Sequence, residues 1–484
     1  MSSYAGITIG PIVDTLMLAH SPAAMWYASS MFSSLTEEIC KNIKEDMPDG
    51  NIISPYYTNE RFNDGIGRYH DRIIIENADC GKIEKIVDKS KDAIAKMVAL
   101  DIDASEDETK NIVAFVKNYI QVHYVYLPQA EDTGNTIKDM GDMLNTLEQM
   151  SSPNPDNTNN PFIKLFEGRE GSRNEYVKKR VKLIAENSQL RNKDGTLKSI
   201  PDIAGEKKIL KKDYYYAVVE ADGDKVGSYI ETLAPEEIKE FSKKCFEYAS
   251  EAAKLIGAYG GMTVYAGGDD LLFMAPVYGN GEKSVFDLCR DISKKFKEIV
   301  TGNNAEFPAV SFGIAVRRQG FPLYEALHSS LAALYEVKSK KIGGNGIFID
   351  FQKGSGQAIK LAVPFEKYEL FETVFKVYTE ATDKALKSLI YILDLHKKMF
   401  QIEDINEAMI ENIIKNAFDN IQQKKYEDFV NKASERITRF IRENGGKRII
   451  GYGKGKDLTD MIIFEAILRL SKFMIEGKGE ESRA

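Results

Sequence analysis

Two carboxylates stand side by side behind two glycines at Gly267-Gly268-Asp269-Asp270, and a third, Asp222, follows the apolar run Ala217-Val218-Val219. Adjacent like charges repel, so a fold that holds them together needs a positive partner, and a divalent cation is the simplest one. Magnesium or manganese takes hard carboxylate oxygens and substrate phosphates as ligands. A three-carboxylate cluster can hold two such ions, one beside an attacking ribose 3′-hydroxyl and one on a triphosphate, as in-line phosphoryl transfer requires. Asp222, Asp269 and Asp270 are the candidate catalytic residues, and with Gly223 they are the candidate metal ligands.

Taken alone, Gly267-Gly268-Asp269-Asp270 is also an ordinary turn, because Gly and Asp are common turn residues. Asp222-Gly223-Asp224 at the end of a second apolar strand tips the reading toward a site. Gly267 and Gly268 let a ligand approach the backbone closely. The backbone N–H groups of Asp224, Lys225 and Val226, near the start of a helix, are placed to cradle phosphate. Asp224 reads first as the N-cap of that helix and second as a metal ligand. Lys338, in a helix expected over Tyr324–Lys341, reads either as a triphosphate contact or, with Lys340 and Lys341, as a cation complementing the helix C-terminus. Ser311 is a candidate base contact on a neighbouring strand.

These residues need a rigid platform, and the chain between 213 and 355 supplies one. Tyr214–Val219 is β-rich and gives way to a helix-period segment through Ile238, Phe241, Phe246 and Ala249. Met262–Ala266 and Leu271–Met274 flank the glycine turn as a hairpin. A helix over 286–299, a strand over 310–316 and a helix from Pro322 complete the order β-α-β-β-α-β, the ferredoxin-like pattern. Ile347-Phe348-Ile349 is expected to add an edge strand. Residues 1–130 read as another α+β domain, with strands at Ile7-Thr8-Ile9, Arg72–Ile75 and Val122–Tyr126. A helical connector with a loop at Ser151–Pro161 follows over 131–212, and 356–484 reads as a helical bundle with a glycine-rich break near 445–455.

A net charge of −8 with a pI near 5.5 argues against a surface built to grip free nucleic acid, so any RNA partner is held locally or through other subunits. The four cysteines lie far apart and form no local metal pair, which fits a reducing interior. No signal peptide and no long apolar run is present, so a soluble, cytoplasmic protein without a membrane partner is expected.

Val219-Glu220-Ala221-Asp222-Gly223-Asp224-Lys225-Val226-Gly227, followed by Gly267-Gly268-Asp269-Asp270, resembles the palm domain of the large subunit of type III CRISPR effector complexes. Ser311–Ala315, Pro322–Leu327 and Ala333–Lys338 fit the same palm and its distant diguanylate cyclase relatives. Ile7–Leu16 and Gly65–Arg72 are similar to the N-terminal palm of the Cmr, or III-B, version, in which a second palm copy lacks catalytic acids. Gly65–Arg72 stands where a paired-acid turn would be, so 1–130 is expected to be non-catalytic and 213–355 catalytic.

The resemblance implies that target RNA, paired to a guide held by partner subunits, switches on conversion of ATP into a second messenger. Family members make cyclic oligoadenylates, and some join AMP to S-adenosylmethionine. It also implies a small helical subunit docked on the C-terminal domain. Two departures shape the expectation. Many members begin with a nuclease domain bearing a His-Asp pair, whereas here a palm comes first and His70-Asp71 is a lone dipeptide, so DNA cleavage in cis is not expected. The cysteine cluster that holds zinc between the palms is missing, so no zinc is expected. A free-standing cyclase of the diguanylate type and an inactive scaffold are the competing readings.

Overall fold

Proline cannot donate to a β-ladder, and Pro11 ends strand β1 (Ser2–Gly10), which is buried from Tyr4 to Ile9. In this computed structural model β1 runs antiparallel to β3 (Arg72–Glu76) on one side and β4 (Gln121–Ala130) on the other. The four-residue β2 (Asn51–Ser54) pairs with β3 and completes a sheet of order β2-β3-β1-β4. The structure describes residues 2–60, 65–102, 104–130, 134–149, 160–167, 189–205, 215–280, 283–302, 308–377, 383–395, 408–409, 412–413, 416, 420–453 and 456–476.

Helix Pro22–Asp46 crosses from β1 to β2. It starts where Ser21 accepts the Ala24 N–H at 3.2 Å and proline takes the first helical position. Helices Cys80–Asp101 and Glu106–Tyr119 cross from β3 to β4, the second of them opened by a Ser105/Glu108 capping box. Chain order and strand order together make this a ferredoxin-like unit with its first strand central.

The same order recurs downstream. Strand β5 (Tyr215–Asp224) leads through helices Val226–Ile230 and Pro235–Tyr259 to the hairpin β6 (Met262–Gly267) and β7 (Asp270–Pro276). Helix Val285–Ile299 and β8 (Ala309–Arg318) follow, then helix Leu323–Lys338. The sheet continues into β9 (Gly346–Gln352), β10 (Ala358–Pro364), β11 (Ile450–Gly453) and β12 (Lys456–Asp457), in the order β12-β11-β10-β9-β8-β5-β7-β6. Strands β8-β5-β7-β6 repeat the arrangement β4-β1-β3-β2, so the α+β architecture with two ferredoxin-like palms in tandem is present.

Three sequence expectations are corrected here. β9 is interior rather than an edge strand, because it pairs in parallel with β8 and antiparallel with β10. The chain after 356 is not all helical, since β10, β11 and β12 extend the sheet. The helix expected to run to Lys341 stops at Lys338, leaving Lys340 and Lys341 in the following turn. Of the connector, helices Gly134–Glu148, Pro161–Glu167 and Ile200–Ala204 are described, while the expected loop lies outside the described residues except for Asn160 and Pro161.

The described residues cluster into two compact units. One lies within Met1–Gly205, Val219–Val310 and Pro322–Leu327, the other within Glu206–Val218, Ser311–Phe321 and His328–Ala484. In the first, Tyr4 and Ile53 of the N-terminal sheet pack with Ile137, Met140 and Leu144 of helix Gly134–Glu148 and with Ile238 of helix Pro235–Tyr259. Gln189 adds a polar clamp in the same unit. Its Nε2 donates to the Ala253 carbonyl at 2.7 Å, and its Oε1 accepts the Thr263 N–H at 2.8 Å on terminal strand β6.

In the second unit, helix Asp460–Glu476 packs against Tyr368–Phe375, Asp383–Leu395 and Asn420–Glu443. Phe429, Ile437 and Phe440 are buried there, as core positions of a bundle should be. All four cysteines are free thiols. No helix among the described residues is long and apolar enough to cross a membrane.

Candidate active site: an acidic cluster at the strand ends

Strand β5 is buried without interruption from Tyr215 to Val219, then alternates, with Ala221 and Gly223 inward and Asp222 and Asp224 half-exposed. Its neighbour β7 begins at Asp270, which pairs with Gly267 across a two-residue turn. Gly268 holds φ +66° at the first turn position, a conformation that glycine adopts without the Cβ penalty other residues meet. The adjacency of β5 and β7 carries the acids together. One carboxylate oxygen each from Asp222, Asp269 and Asp270 lies within 4.8 Å of the others.

Backbone chemistry fixes the arrangement. The Gly223 N–H donates to Asp269 Oδ2 at 3.2 Å. A Cβ at Gly223 would run into that carboxylate and would come within 2.5 Å of Val226 Cγ2, so only glycine fits. Burial raises the Asp270 carboxyl well above the usual range, and the charges of Asp269, Asp222 and Asp71 raise it further. Three converging hard oxygens whose charges oppose one another form a donor set suited to magnesium or manganese.

The other expected residues fall as follows. Asp224 is not the N-cap: β5 runs through it, and Lys225, at φ 60°, takes the cap position with no side-chain bond. The strand continues past the acid turn before the chain reverses, which moves the cap along by one residue. Lys225 is exposed and Val226 half-buried at that junction. Ser311 and Lys338 belong to the second unit, Ser311 fully buried in β8 and Lys338 half-buried at its helix end.

A cavity of about 700 Å³ opens over the acids. Its far wall comes from residues that were not among the expected site residues: Ser54, with His70, Asp71 and Arg72 of the acid-turn counterpart in the N-terminal palm, and Lys138 and Asn145 of helix Gly134–Glu148. The segment Gly65–Arg72 is joined to the acidic hairpin itself. Gly67 bridges Tyr265 in parallel, and its carbonyl accepts the Ala266 N–H at 3.0 Å. The available signal was positional, because this segment occupies the place in the first palm that the paired-acid turn occupies in the second.

His70 is held by both ring nitrogens. Nδ1 accepts the Arg72 N–H at 3.3 Å, which leaves Nε2 to carry the proton toward Ser54 Oγ at 3.1 Å. Burial, helped by the Arg72 charge, pushes its pKa down to about 4. The first palm thus presents a neutral imidazole and a carboxylate, Asp71, to the cavity.

A ferredoxin-like sheet carrying acids at the end of its first strand and on its central hairpin is a palm of the polymerase and nucleotide-cyclase kind. Residues 215–347 match the family described as Cas10/Cmr2, second palm domain. The whole fold is similar to solved type III structures. A Csm1–Csm4 cassette in complex with cA4 aligns at 13% identity and TM-score 0.57, covering 98% of this chain and 70% of that one. A type III-B Cmr-beta structure in the apo state aligns at 11% identity and TM-score 0.62, covering 98% and 82%. A Csm1–Csm4 cassette in complex with one ATP aligns at 12% identity and TM-score 0.54, covering 98% and 70%. Both Csm1 and Cmr-beta structures share the fold, so the fold does not separate the two types. A comparison with the curated proteins finds no match.

Proposed function

We propose that this chain is the large subunit of a type III CRISPR effector, of the Cmr (III-B) version, and that it makes a nucleotide second messenger from ATP when target RNA pairs with a guide held by partner subunits. The convergence of Asp222, Asp269 and Asp270 at the ends of β5 and the β6–β7 hairpin carries the reading. The similar cassettes bound to cA4 and to ATP support ATP as substrate and a cyclic oligoadenylate as product. AMP joined to S-adenosylmethionine is the second product to be tested. The protein acts in the cytoplasm, with a small helical subunit on its C-terminal domain.

Asp222, Asp269 and Asp270, with the Gly223 backbone, would hold magnesium or manganese, which when bound supplies charge neutralisation for the triphosphate and activation of a ribose hydroxyl. The protein's own part is placement. The Gly223 N–H orients the Asp269 carboxylate. The missing side chain at Gly268, which lines the cavity, leaves room for a nucleotide to come close, whereas the space beside Gly267 is taken by the Tyr265 hydroxyl and the Arg68 carbonyl, so that glycine serves packing. Asp224, Lys225 and Val226 offer backbone N–H groups at the same junction, Lys338 is assigned to the triphosphate and Ser311 to the base. Domain 213–355 is catalytic, 1–130 supports it without a paired-acid turn of its own, 131–212 connects them and 356–484 docks partners.

The test is a reaction of the assembled complex with labelled ATP, magnesium or manganese and target RNA, with and without S-adenosylmethionine. A product that vanishes in Asp269→Ala/Asp270→Ala establishes the synthase, and its mass names the messenger. Absence of product under every condition rejects the proposal in favour of a scaffold.

A further inference from the structure

The cavity over the acids is lined by six carboxylates, Asp71, Asp142, Asp222, Glu231, Asp269 and Asp270, but by only two cations among the described residues, Arg72 and Lys138. A nucleoside triphosphate is a polyanion, so these two side chains are the ones in the cavity wall placed to attract its phosphates, beside the contacts already assigned. Each already has a carboxylate partner. Arg72 Nη2 lies 3.0 Å from both Glu148 oxygens and 2.5 Å from Asn145 Oδ1, and Thr8 Oγ1 donates to Glu148 Oε1 at 2.5 Å. Lys138 Nζ lies 3.3 Å from a Glu231 oxygen.

We propose that Arg72 and Lys138 are the polyphosphate-binding side chains of this cavity, and that Glu148 and Glu231 are exchangeable counterions that hold them in place until nucleotide arrives. The inference rests on the reading of the site as a nucleotide site and names its phosphate contacts. Both pairs are open to water: Arg72 and Glu148 are 34% and 39% exposed, Lys138 and Glu231 45% and 29%. Pairs this exposed to water contribute little, so giving up the carboxylate costs little. A phosphate offers a stronger, charge-assisted and, for arginine, bidentate bond. The sealed pair Arg317–Asp350, 2% and 10% exposed, shows the opposite design, in which exchange would strand a buried charge.

Glu148 is not stranded when Arg72 leaves it, because Thr8 still donates to it. Lys138, Asn145 and Glu148 share one helix, Gly134–Glu148, so a single element carries both partners of Arg72 together with the second cation.

The experiment is calorimetric binding of a magnesium-loaded, non-hydrolysable ATP analogue, and separately of magnesium tripolyphosphate, to the full chain. Arg72→Ala is expected to weaken both about tenfold, equivalent to about 1.4 kcal/mol, with Lys138→Ala weaker in effect. Arg72→Lys, which keeps the charge and loses the fork, falls between, and it replaces Arg72→Ala if that variant melts early. Glu148→Gln and Glu231→Gln are expected to tighten both ligands several-fold, because a neutral amide competes less well for the cation. Unchanged or weaker binding in Glu148→Gln, together with unchanged binding in Arg72→Ala and Arg72→Lys, overturns the assignment. If the expected order holds while the assembled complex makes no product, the phosphate contacts stand and the synthase reading falls. If the wild type binds no magnesium nucleotide at all, both fall.

Discussion

Gly223 and Asp269 are bound to each other across neighbouring strands: the glycine N–H donates to the carboxylate Oδ2 at 3.2 Å, and the space a Cβ would need at Gly223 is taken by that same carboxylate. The end of β5 thereby sets the position of an acid on the β6–β7 turn.

Gly223→Ala should therefore damage chemistry more than folding. Displacing the Asp269 carboxylate by about an ångström is expected to lower product formation about a hundredfold. The thermal midpoint should drop by only a few degrees, as roughly 1 kcal/mol of overpacking implies. Wild-type turnover in the alanine variant would show that the Asp269 position is not set this way.

Asp270→Asn removes one acid from the cluster, the one whose carboxyl burial and the neighbouring charges of Asp269, Asp222 and Asp71 raise. In a buffer containing chelator the variant should melt about 2–4 °C above the wild type, for roughly 1 kcal/mol of relieved repulsion. Adding magnesium or manganese should raise the wild-type midpoint and leave the variant nearly unmoved. Thermal denaturation with and without metal decides it, and a variant less stable than the wild type in chelator would contradict the electrostatic account.

His70 gives the protein a pH dependence with a definite sign. The unfolded chain takes up a proton near the usual 6.5 and the folded chain only near about 4. Between those values the unfolded state binds more protons, so the stability His70 contributes is complete above pH 6.5 and is lost as pH falls toward 4. Over the stretch from 6.5 to 5 the loss is roughly 2 kcal/mol. Urea midpoints at pH 7 and 5 should show a smaller difference for His70→Gln than for the wild type; an equal difference would place the acid sensitivity elsewhere.

Two glycines should respond oppositely to alanine. A Cβ at Gly313 would run into the Ser330 carbonyl and would lie 2.8 Å from Leu334 Cα, so Gly313→Ala is expected to cost about 1–3 kcal/mol by forcing β8 and its covering helix apart. At Gly227 nothing lies within 4 Å of the added atom, so Gly227→Ala should be neutral or slightly stabilising within its helix. Chemical denaturation of the two variants side by side would expose an error in either.

The second palm was legible because its strands are apolar runs punctuated by glycine and acid, and the spacing of Asp222 from Asp269-Asp270 matched one known order of elements. β2 escaped notice because a four-residue strand, Asn51–Ser54, carries too little pattern. β10 escaped because Leu361–Val363 is a buried run that does not alternate and lies beside true helices. The far wall of the cavity was the hardest part. His70-Asp71-Arg72 reaches the acids through the Gly67–Tyr265 bridge, a contact between segments nearly two hundred residues apart, and no local period reports it.

Strand β6 ends its sheet, and a terminal strand with free N–H groups is a template on which another chain can pair. Gln189 stands against that edge with its amide, mimicking a peptide group, on the Thr263 N–H while its other end is tied to the Ala253 carbonyl. This plug reserves the edge beside the acidic hairpin from indiscriminate association. Gln189→Ala should consequently show itself first as concentration-dependent aggregation rather than as lost turnover.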